Sequence, residues 1–376
     1  MVSIMADRRM GRSGEPGMSD KPEANGQNIV GKRANRDIFS LRGTLLVPVM
    51  TLITQEHAKL LEKHNIVLTD QDISDIGPYM NPESFTHHQM IEDMVPQVKS
   101  LFDEVRETRE IPLAELRKEV IPMIHEAMND SHLLGLFASL QAKDDYTYRH
   151  NIAVGAISGL LGTWIGLDHQ EILQLTTAAL LHDVGKMLVP LEILNKPDKL
   201  TEQEYAVMKN HTVLGYELIK GTIGANHRQA LVALQHHERM DGTGYPFGIH
   251  RNKIDLFSRI IAVADVFHAM TSSRVYRSPA PFNEVLFQME KDTFGVLDPV
   301  ITRQFIEKIM SSLIGSEVLL SDGSEGTVLM VQAHDLTHPF IQSGDAFIDL
   351  SKDYSIQIRQ ILLACLRVEK LYSSLC

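Results

Sequence analysis

The residues with the most chemistry to offer fall at two points on the chain. Leu180-Leu181-His182-Asp183-Val184-Gly185-Lys186 sets one neutral nitrogen donor beside one anionic oxygen donor. Downstream, His236-His237-Glu238-Arg239-Met240-Asp241-Gly242-Thr243-Gly244-Tyr245-Pro246 joins a pair of imidazoles to a glycine-rich loop. Together they describe a divalent metal centre with a phosphate-sized pocket beside it.

Three further residues extend the donor set. His150 follows Asp144-Asp145-Tyr146 at the opening of a helix, and His211 sits in Met208-Lys209-Asn210-His211. Asp265 lies in Arg259-Ile260-Ile261-Ala262-Val263-Ala264-Asp265, where a charge is costly unless it is paired or ligates metal. A single helical His is usually no ligand; the joint pattern carries the reading, because separate helices would each donate to one centre. Imidazole with carboxylate suits Fe or Mn, and less exclusively Zn or Ni. No thiolate stands at these positions, which argues against a structural zinc site. His150, His182, Asp183, His211, His236, His237 and Asp265 exceed what one ion needs. Two ions bridged by Asp183 would use them and leave positions open for water. Such a pair acidifies a bridging water and stabilises both the attacking and the leaving oxygen of a phosphoryl transfer.

The substrate side is also marked. Lys186, just after the His-Asp pair, can reach a phosphate oxygen as a point charge. Gly242 and Gly244 allow close backbone approach to a ligand. Pro246 stiffens the loop exit, and Tyr245 offers a hydroxyl and a ring for base stacking. Arg274 and Arg277 in Arg274-Val275-Tyr276-Arg277 can clamp phosphate or stack on guanine.

These motifs resemble the HD-GYP family, metal-dependent phosphodiesterases that hydrolyse cyclic di-GMP, over roughly the middle half of the chain. The resemblance implies that the seven His and Asp residues are the metal ligands, with Asp183 and Lys186 catalytic. It also implies substrate contacts from Lys186, Gly244, Tyr245, Arg274 and Arg277, and pGpG as product, with further cleavage to GMP left open. Some members add a glutamate four residues before the first His and hold a third ion; Tyr146 stands there, so two divalent ions, Fe or Mn, are expected. Asn151 and Val275 replace a frequent Ser and a frequent Pro. Two alternatives stay open: an HD phosphohydrolase for another nucleotide, such as a cyclic GMP-AMP dinucleotide, and a sensor that binds without cutting. The intact donor set argues against the sensor.

The chain that must position these groups has 376 residues, 44% of them hydrophobic, and a mean hydropathy of −0.08, ordinary material for a sizeable core. Its net charge of −12 argues against non-specific binding to nucleic acid or an anionic membrane. The substrate must therefore be drawn in by a local cationic site. Cys365 and Cys376 imply no disulfide framework, no signal-peptide core is evident, and a cytoplasmic location is expected, with a homodimer left open. The apolar stretch Ile152 to Leu167 is broken by Gly155, Gly159, Gly162 and Thr163 and falls short of the roughly 18–20 residues that span a bilayer, so it reads as a buried helix.

The expected fold is mainly α: a helical HD-type metal phosphohydrolase core with a small N-terminal α/β region and a small C-terminal β appendage. Residues 1–35 read as a disordered tail and 36–130 as an N-terminal region with a helical linker. The catalytic domain spans 131–314 and the β appendage 315–376. A strand is expected at 41–47, and a helix over Gln55 to His64 with Thr54 as its cap. The linker helices, with Met90, Met94, Val98, Leu101, Phe102 and Val105 at helical spacing, pack on the core or on a second chain. Thr201-Glu202-Gln203-Glu204 predicts a capping box ahead of a helix through Lys220, and Gly185 predicts the end of the helix carrying His182 and Asp183. Strands are expected at 318–320, 326–331, 346–350 and 356–359.

Overall fold

The structure, a computed structural model, describes residues 29, 32–34, 38–40, 45–47, 53, 55–69, 72–75, 82–128, 133–140, 146–272, 282–292 and 295–362. Thr54, Asp144, Arg274, Arg277, Cys365 and Cys376 lie outside them, as does most of the expected N-terminal tail. The chain divides into two compact units, Met1–Ile76 and Gly77–Cys376.

In the first unit β1 (Lys32–Ala34) pairs antiparallel with β4 (Ile73–Asp75), and β2 (Ile38–Phe39) with β3 (Leu45–Val47). Helix α1 (Gln55–Lys63) places Leu61 against Ile38, Leu46 and Val47. The expected tail therefore ends sooner than residue 35: Lys32–Ala34 is a strand with a partner 41 residues downstream in register, Lys32 opposite Asp75 and Ala34 opposite Ile73.

The second unit opens with α2 (Pro82–Thr108), the expected linker helix. Met94, Val98, Phe102 and Val105 are buried in the same core as the catalytic helices, so α2 belongs to that body. Helix α3 (Leu113–Glu115), a π-helical turn (Leu116–Val120) and α4 (Ile121–Met128) lead to α5 (Leu133–Leu140). Helix α6 (Tyr146–Trp164) holds the long apolar run and is buried as expected, with Ile152, Ala153, Val154, Ile157 and Leu161 closed to solvent. A Cβ at Gly159 would stand 2.5 Å from Met128 Cε and 2.9 Å from Thr176 Oγ1, so glycine lets α4 and the next helix approach α6. That helix, α7 (His169–Leu181), starts at a capping box: Asp168 accepts from the Glu171 amide at 2.8 Å.

After a 3-10 turn (Val184–Leu188) come α8 (Leu191–Leu194), α9 (Glu202–Lys209), α10 (His211–Gly221), α11 (His227–Gln235) and α12 (Leu256–Thr271). Thr201 and Glu204 form the expected capping box, but the helix does not run through to Lys220. It breaks at Asn210, where His211 Nδ1 and Thr212 Oγ1 take the carbonyls of Met208 and Lys209 at 2.7 and 2.9 Å. The helix ending near the His-Asp pair also differs from expectation. It stops at Leu181, His182 caps it, and Asp183 begins the 3-10 turn. Gly185 lies inside that turn, where a Cβ would overlap the His211 carbonyl oxygen; its role is close approach to α10.

Helices α13 (Phe282–Asp292) and α14 (Pro299–Ser312) close the helical core, α14 capped by Asp298, which also takes Arg259 Nη1 at 2.7 Å. Burying side chains such as Phe257, Phe267 and Phe305 stabilises it by about 1.5–3 kcal/mol each. The C-terminal sheet has the order β8-β7-β6-β5-β9, every neighbouring pair antiparallel. Its strands are β5 (Glu317–Leu320), β6 (Glu325–Gln332), β7 (Asp335–Ser343), β8 (Ala346–Asp349) and β9 (Ile358–Ile361). Strand β7 has no counterpart in the sequence reading.

Candidate metal centre

Seven donors from distant parts of the chain meet in the second unit. His150 sits one turn into α6, His182 and Asp183 at the α7 exit, His211 at the α10 start, His236 and His237 at the α11 exit, and Asp265 midway along α12. His182 and His236 are fully buried, and Asp183 and His211 nearly so. The donors fall into two groups: Asp183, His211, His236 and His237, then His150, His182 and Asp265, each with its ligand atoms within 4.8 Å of one another. Asp183 faces both. Its Oδ1 is 3.3 Å from His211 Nε2 and 3.6 Å from His236 Nε2. Its Oδ2 is 3.4 Å from His182 Nε2 and 3.8 Å from His150 Nε2. His150 Nε2 also lies 3.1 Å from Asp265 Oδ1.

The second ring nitrogens explain why the Nε2 atoms point inward. His182 Nδ1 donates to the Ala179 carbonyl at 2.7 Å, His211 Nδ1 to Met208 at 2.7 Å, and His236 Nδ1 to Ala233 at 3.0 Å. Each is a carbonyl of the same or the preceding helix's last turn, so an imidazole at a helix junction is oriented by the backbone, with its Nε2 lone pair turned to the centre. His150 is held differently, with its Nδ1 2.9 Å from His268 Nδ1. His268, three residues after Asp265 on α12, passes on to Ser272 Oγ at 3.0 Å and the Leu140 carbonyl at 3.3 Å. Sequence reasoning missed it; its position on the Asp265 face of α12 was the available signal.

Electrostatics favour cation binding. Burial resists charge on Asp183, but Lys186, His182 and His236 outweigh it and hold the carboxyl well below the usual range. Asp265 is likewise held low, against burial, by His150, His237 and His182. Burial lowers His150, His236 and His237, and lowers His211 to about 3, so these imidazoles are neutral donors at neutral pH. His182 is raised: burial opposes its charge, and Asp183 with Asp265 overcomes that. His182 Nε2 and Asp183 Oδ1 are buried and make no hydrogen bond. Such orphaned polar atoms, one nitrogen and one oxygen on opposite sides of a mixed donor set, fit divalent cations.

The substrate-side residues are placed less uniformly. Lys186 stands at the rim with a quarter of its side chain exposed and its Nζ 2.5 Å from Asp183 Oδ2. Tyr245 lies against His237, ring centroids 4.6 Å apart and tilted by 31°, and its amide donates to the His237 carbonyl at 3.2 Å. The close approach at Gly244 is to the chain itself: a Cβ there would press on Glu238 Cα and the His237 carbonyl at 2.5 Å, so this glycine folds the loop back on the His pair. Glu238, buried and missed by the sequence reading, secures that loop by accepting the Phe247 and Ile249 amides at 2.8 and 3.0 Å. The Tyr146 side chain, Arg274 and Arg277 lie outside the described residues.

Among the described residues, no helix is long and apolar enough to cross a membrane. The HD domain family model matches residues 128–301. Cyclic di-GMP phosphodiesterase PA4108 of Pseudomonas aeruginosa is 34% identical over 245 residues, covering 65% of this chain and 59% of that protein. 3'3'-cGAMP-specific phosphodiesterase 1 of Vibrio cholerae is 40% identical over 163 residues, covering 42% of this chain and 37% of that protein. The chain thus spans little more than half of the one relative and less of the other. Among solved structures, Bd1817, a HDG"Y"P protein from Bdellovibrio bacteriovorus, shares the fold at a TM-score of 0.50 and 17% identity, covering 77% of this chain and 97% of that one. With its His-Asp pair, its paired His and its Gly-Tyr-Pro loop, the matched segment of this chain is an HD domain of the HD-GYP kind.

Proposed function

We propose that this chain is a metal-dependent phosphodiesterase that opens cyclic di-GMP to pGpG. The observation that carries the reading is the division of the Asp183 carboxylate, Oδ1 toward His211 and His236, Oδ2 toward His150 and His182. In this reading His211, His236 and His237 hold one divalent ion, His150, His182 and Asp265 a second, and Asp183 serves both. Ions there, Fe or Mn by the donor set, supply an acidified water and a counter-charge for the phosphate.

The chain's own residues then do three things. The backbone carbonyls behind His182, His211 and His236 fix each tautomer before substrate arrives. Lys186, at the rim, takes a non-bridging phosphate oxygen, and Arg274 and Arg277 neutralise further phosphate charge. The loop secured by Glu238 holds Tyr245 beside His237 at the opening. In the reaction, water oxygen bonds to phosphorus, the bond to the 3′ oxygen breaks, and that oxygen leaves with a proton.

A relative bearing the name of a 3'3'-cGAMP-specific enzyme at 40% identity favours testing a second substrate. Protein loaded anaerobically with Mn or Fe should be given cyclic di-GMP and 3'3'-cGAMP in parallel, with products separated by chromatography. Faster conversion of cyclic di-GMP to pGpG supports the proposal. Faster conversion of 3'3'-cGAMP moves the substrate, and tight binding without conversion of either makes the protein a sensor.

A further inference from the structure

An aromatic and cationic ledge leads outward from the His pair, and it uses two residues without a part in the site described above. Tyr245 spans from His237 to the surface. Beyond it stands Tyr205, ring centroids 6.5 Å apart and nearly perpendicular at 76°. Lys209 Nζ lies over both rings, 5.2 Å from the Tyr205 centroid and 5.8 Å from that of Tyr245. Tyr205 and Lys209 are four residues apart on α9 and so share a face. That helix ends at the break that places His211, and the His211 and Tyr245 rings are 6.4 Å apart. The ledge is therefore built on α9 and on the loop after the His pair, each adjoining an element that carries a donor.

Two features separate it from an ordinary solvated face. Among the described residues, no carboxylate pairs with the Lys209 ammonium, although the chain carries a net charge of −12. And Tyr205 is 48% exposed, a large ring left open to solvent beside that cation. The Tyr245 ring, by contrast, already rests on His237, which leaves Tyr205 as the more open stacking surface.

A cyclic dinucleotide has a matching outer half. With one phosphodiester at the metal centre and Lys186, its second phosphate and one purine must lie outside the donor cluster. We propose that Tyr205 and Lys209 form an outer subsite, Tyr205 stacking on a purine and Lys209 meeting the second phosphate. The assignment rests on the cyclic dinucleotide reading above. Purine stacking on an aromatic ring and a cation on a phosphate give affinity without touching the reacting phosphorus. The subsite therefore acts on KM and on discrimination against diesters that lack a second phosphate.

The test compares cyclic di-GMP with bis(4-nitrophenyl) phosphate, a diester with neither purine nor second phosphate, on the metal-loaded full chain. In Tyr205→Ala and in Lys209→Gln, the ratio of kcat/KM for cyclic di-GMP to that for the small diester should fall about tenfold or more, mostly through KM. Tyr205→Phe and Lys209→Arg should recover most of the ratio, since they keep the ring and the charge. Ratios unchanged in Tyr205→Ala and Lys209→Gln, with the parent active on cyclic di-GMP, overturn the subsite and leave the proposed function standing. An equal loss on both substrates assigns the two residues a structural role and also overturns it. A parent that cleaves only the small diester overturns the dinucleotide reading and the subsite with it.

Discussion

His150 and His268 meet through their Nδ1 atoms at 2.9 Å, across 118 positions of sequence. Because His150 turns Nε2 toward Asp265 and Asp183, its proton belongs on Nδ1, and His268 Nδ1 must accept it. His268 then carries its own proton on Nε2, facing Ser272 Oγ and the Leu140 carbonyl. The chain from Leu140 through His268 to His150 fixes one tautomer of one donor, the task that backbone carbonyls perform for His182, His211 and His236.

His268→Ala should therefore weaken metal binding without removing a ligand. Partners of this kind are worth about ten- to a hundredfold in metal affinity. Competition with a chromogenic chelator would read the effect, and only one of the two ions should be weakened. Parent-like affinity for both ions would mean that His150 needs no partner to hold its orientation.

Lys186 and Arg274 should divide along the reaction. Lys186 sits on Asp183 beside the donors, so Lys186→Ala should lower kcat, by roughly ten- to a hundredfold for a lost charge-assisted hydrogen bond. Arg274→Ala should act mainly on KM. Bound metal should stay constant in both variants, since neither side chain is a ligand. Steady-state kinetics with elemental analysis checks this, and parent-like turnover in both would place the substrate elsewhere.

Glu238 ties the Gly-Tyr-Pro loop to the His pair through two backbone amides. Glu238→Ala leaves both donors without their partner and should destabilise the protein by about 1.5–3 kcal/mol. Urea denaturation would show the loss as a lower midpoint at unchanged slope. A midpoint equal to the parent's would mean that water or another acceptor replaces the carboxylate.

Acid should destabilise the metal-free protein above the carboxylate range. His150, His211, His236 and His237 are held below their ordinary value, about 6.5, by burial. The unfolded chain therefore binds more protons than the folded one once pH falls below about 6.5. The stability from these four groups is complete above that pH and is lost on the way down, toward about 3 for His211. His182 has the opposite sign, present below 6.5 and lost as pH rises through its raised value, one group against four. Thermal unfolding after chelation should give a lower Tm at pH 5 than at pH 7.5. A Tm that rises on acidification would contradict the assigned burial.

Much of the donor cluster was legible because its residues are adjacent pairs or stand out against their neighbours. His182-Asp183 and His236-His237 are each contiguous, and Asp265 is the one carboxylate in a largely apolar helix. What stayed hidden depends on chain crossings. The His150 and His268 pair joins α6 to α12, and no spacing rule connects them. Gly244 reads as an opening for ligand, yet its neighbours in space are Glu238 and His237. Strand β7 escaped because Pro339 argues against a central strand. The sheet accommodates it where the β6 and β7 register shifts between Met330, opposite Phe340, and Gln332, opposite Asp335, and the Pro339 carbonyl accepts from Leu350 at 3.4 Å. The break at Asn210 follows from side chains taking the last carbonyls of α9, which the capping signal at Thr201 does not anticipate.

The central claim is that one carboxylate serves two cation positions, and the metal content of Asp183→Ala tests it most directly. Parent and variant purified anaerobically and loaded identically with Mn or Fe should be compared by elemental analysis per chain. The account predicts about two ions in the parent and loss of both in the variant, because Asp183 Oδ1 and Oδ2 each face a separate histidine set. A variant that keeps two ions per chain, or a parent that holds only one, would contradict it.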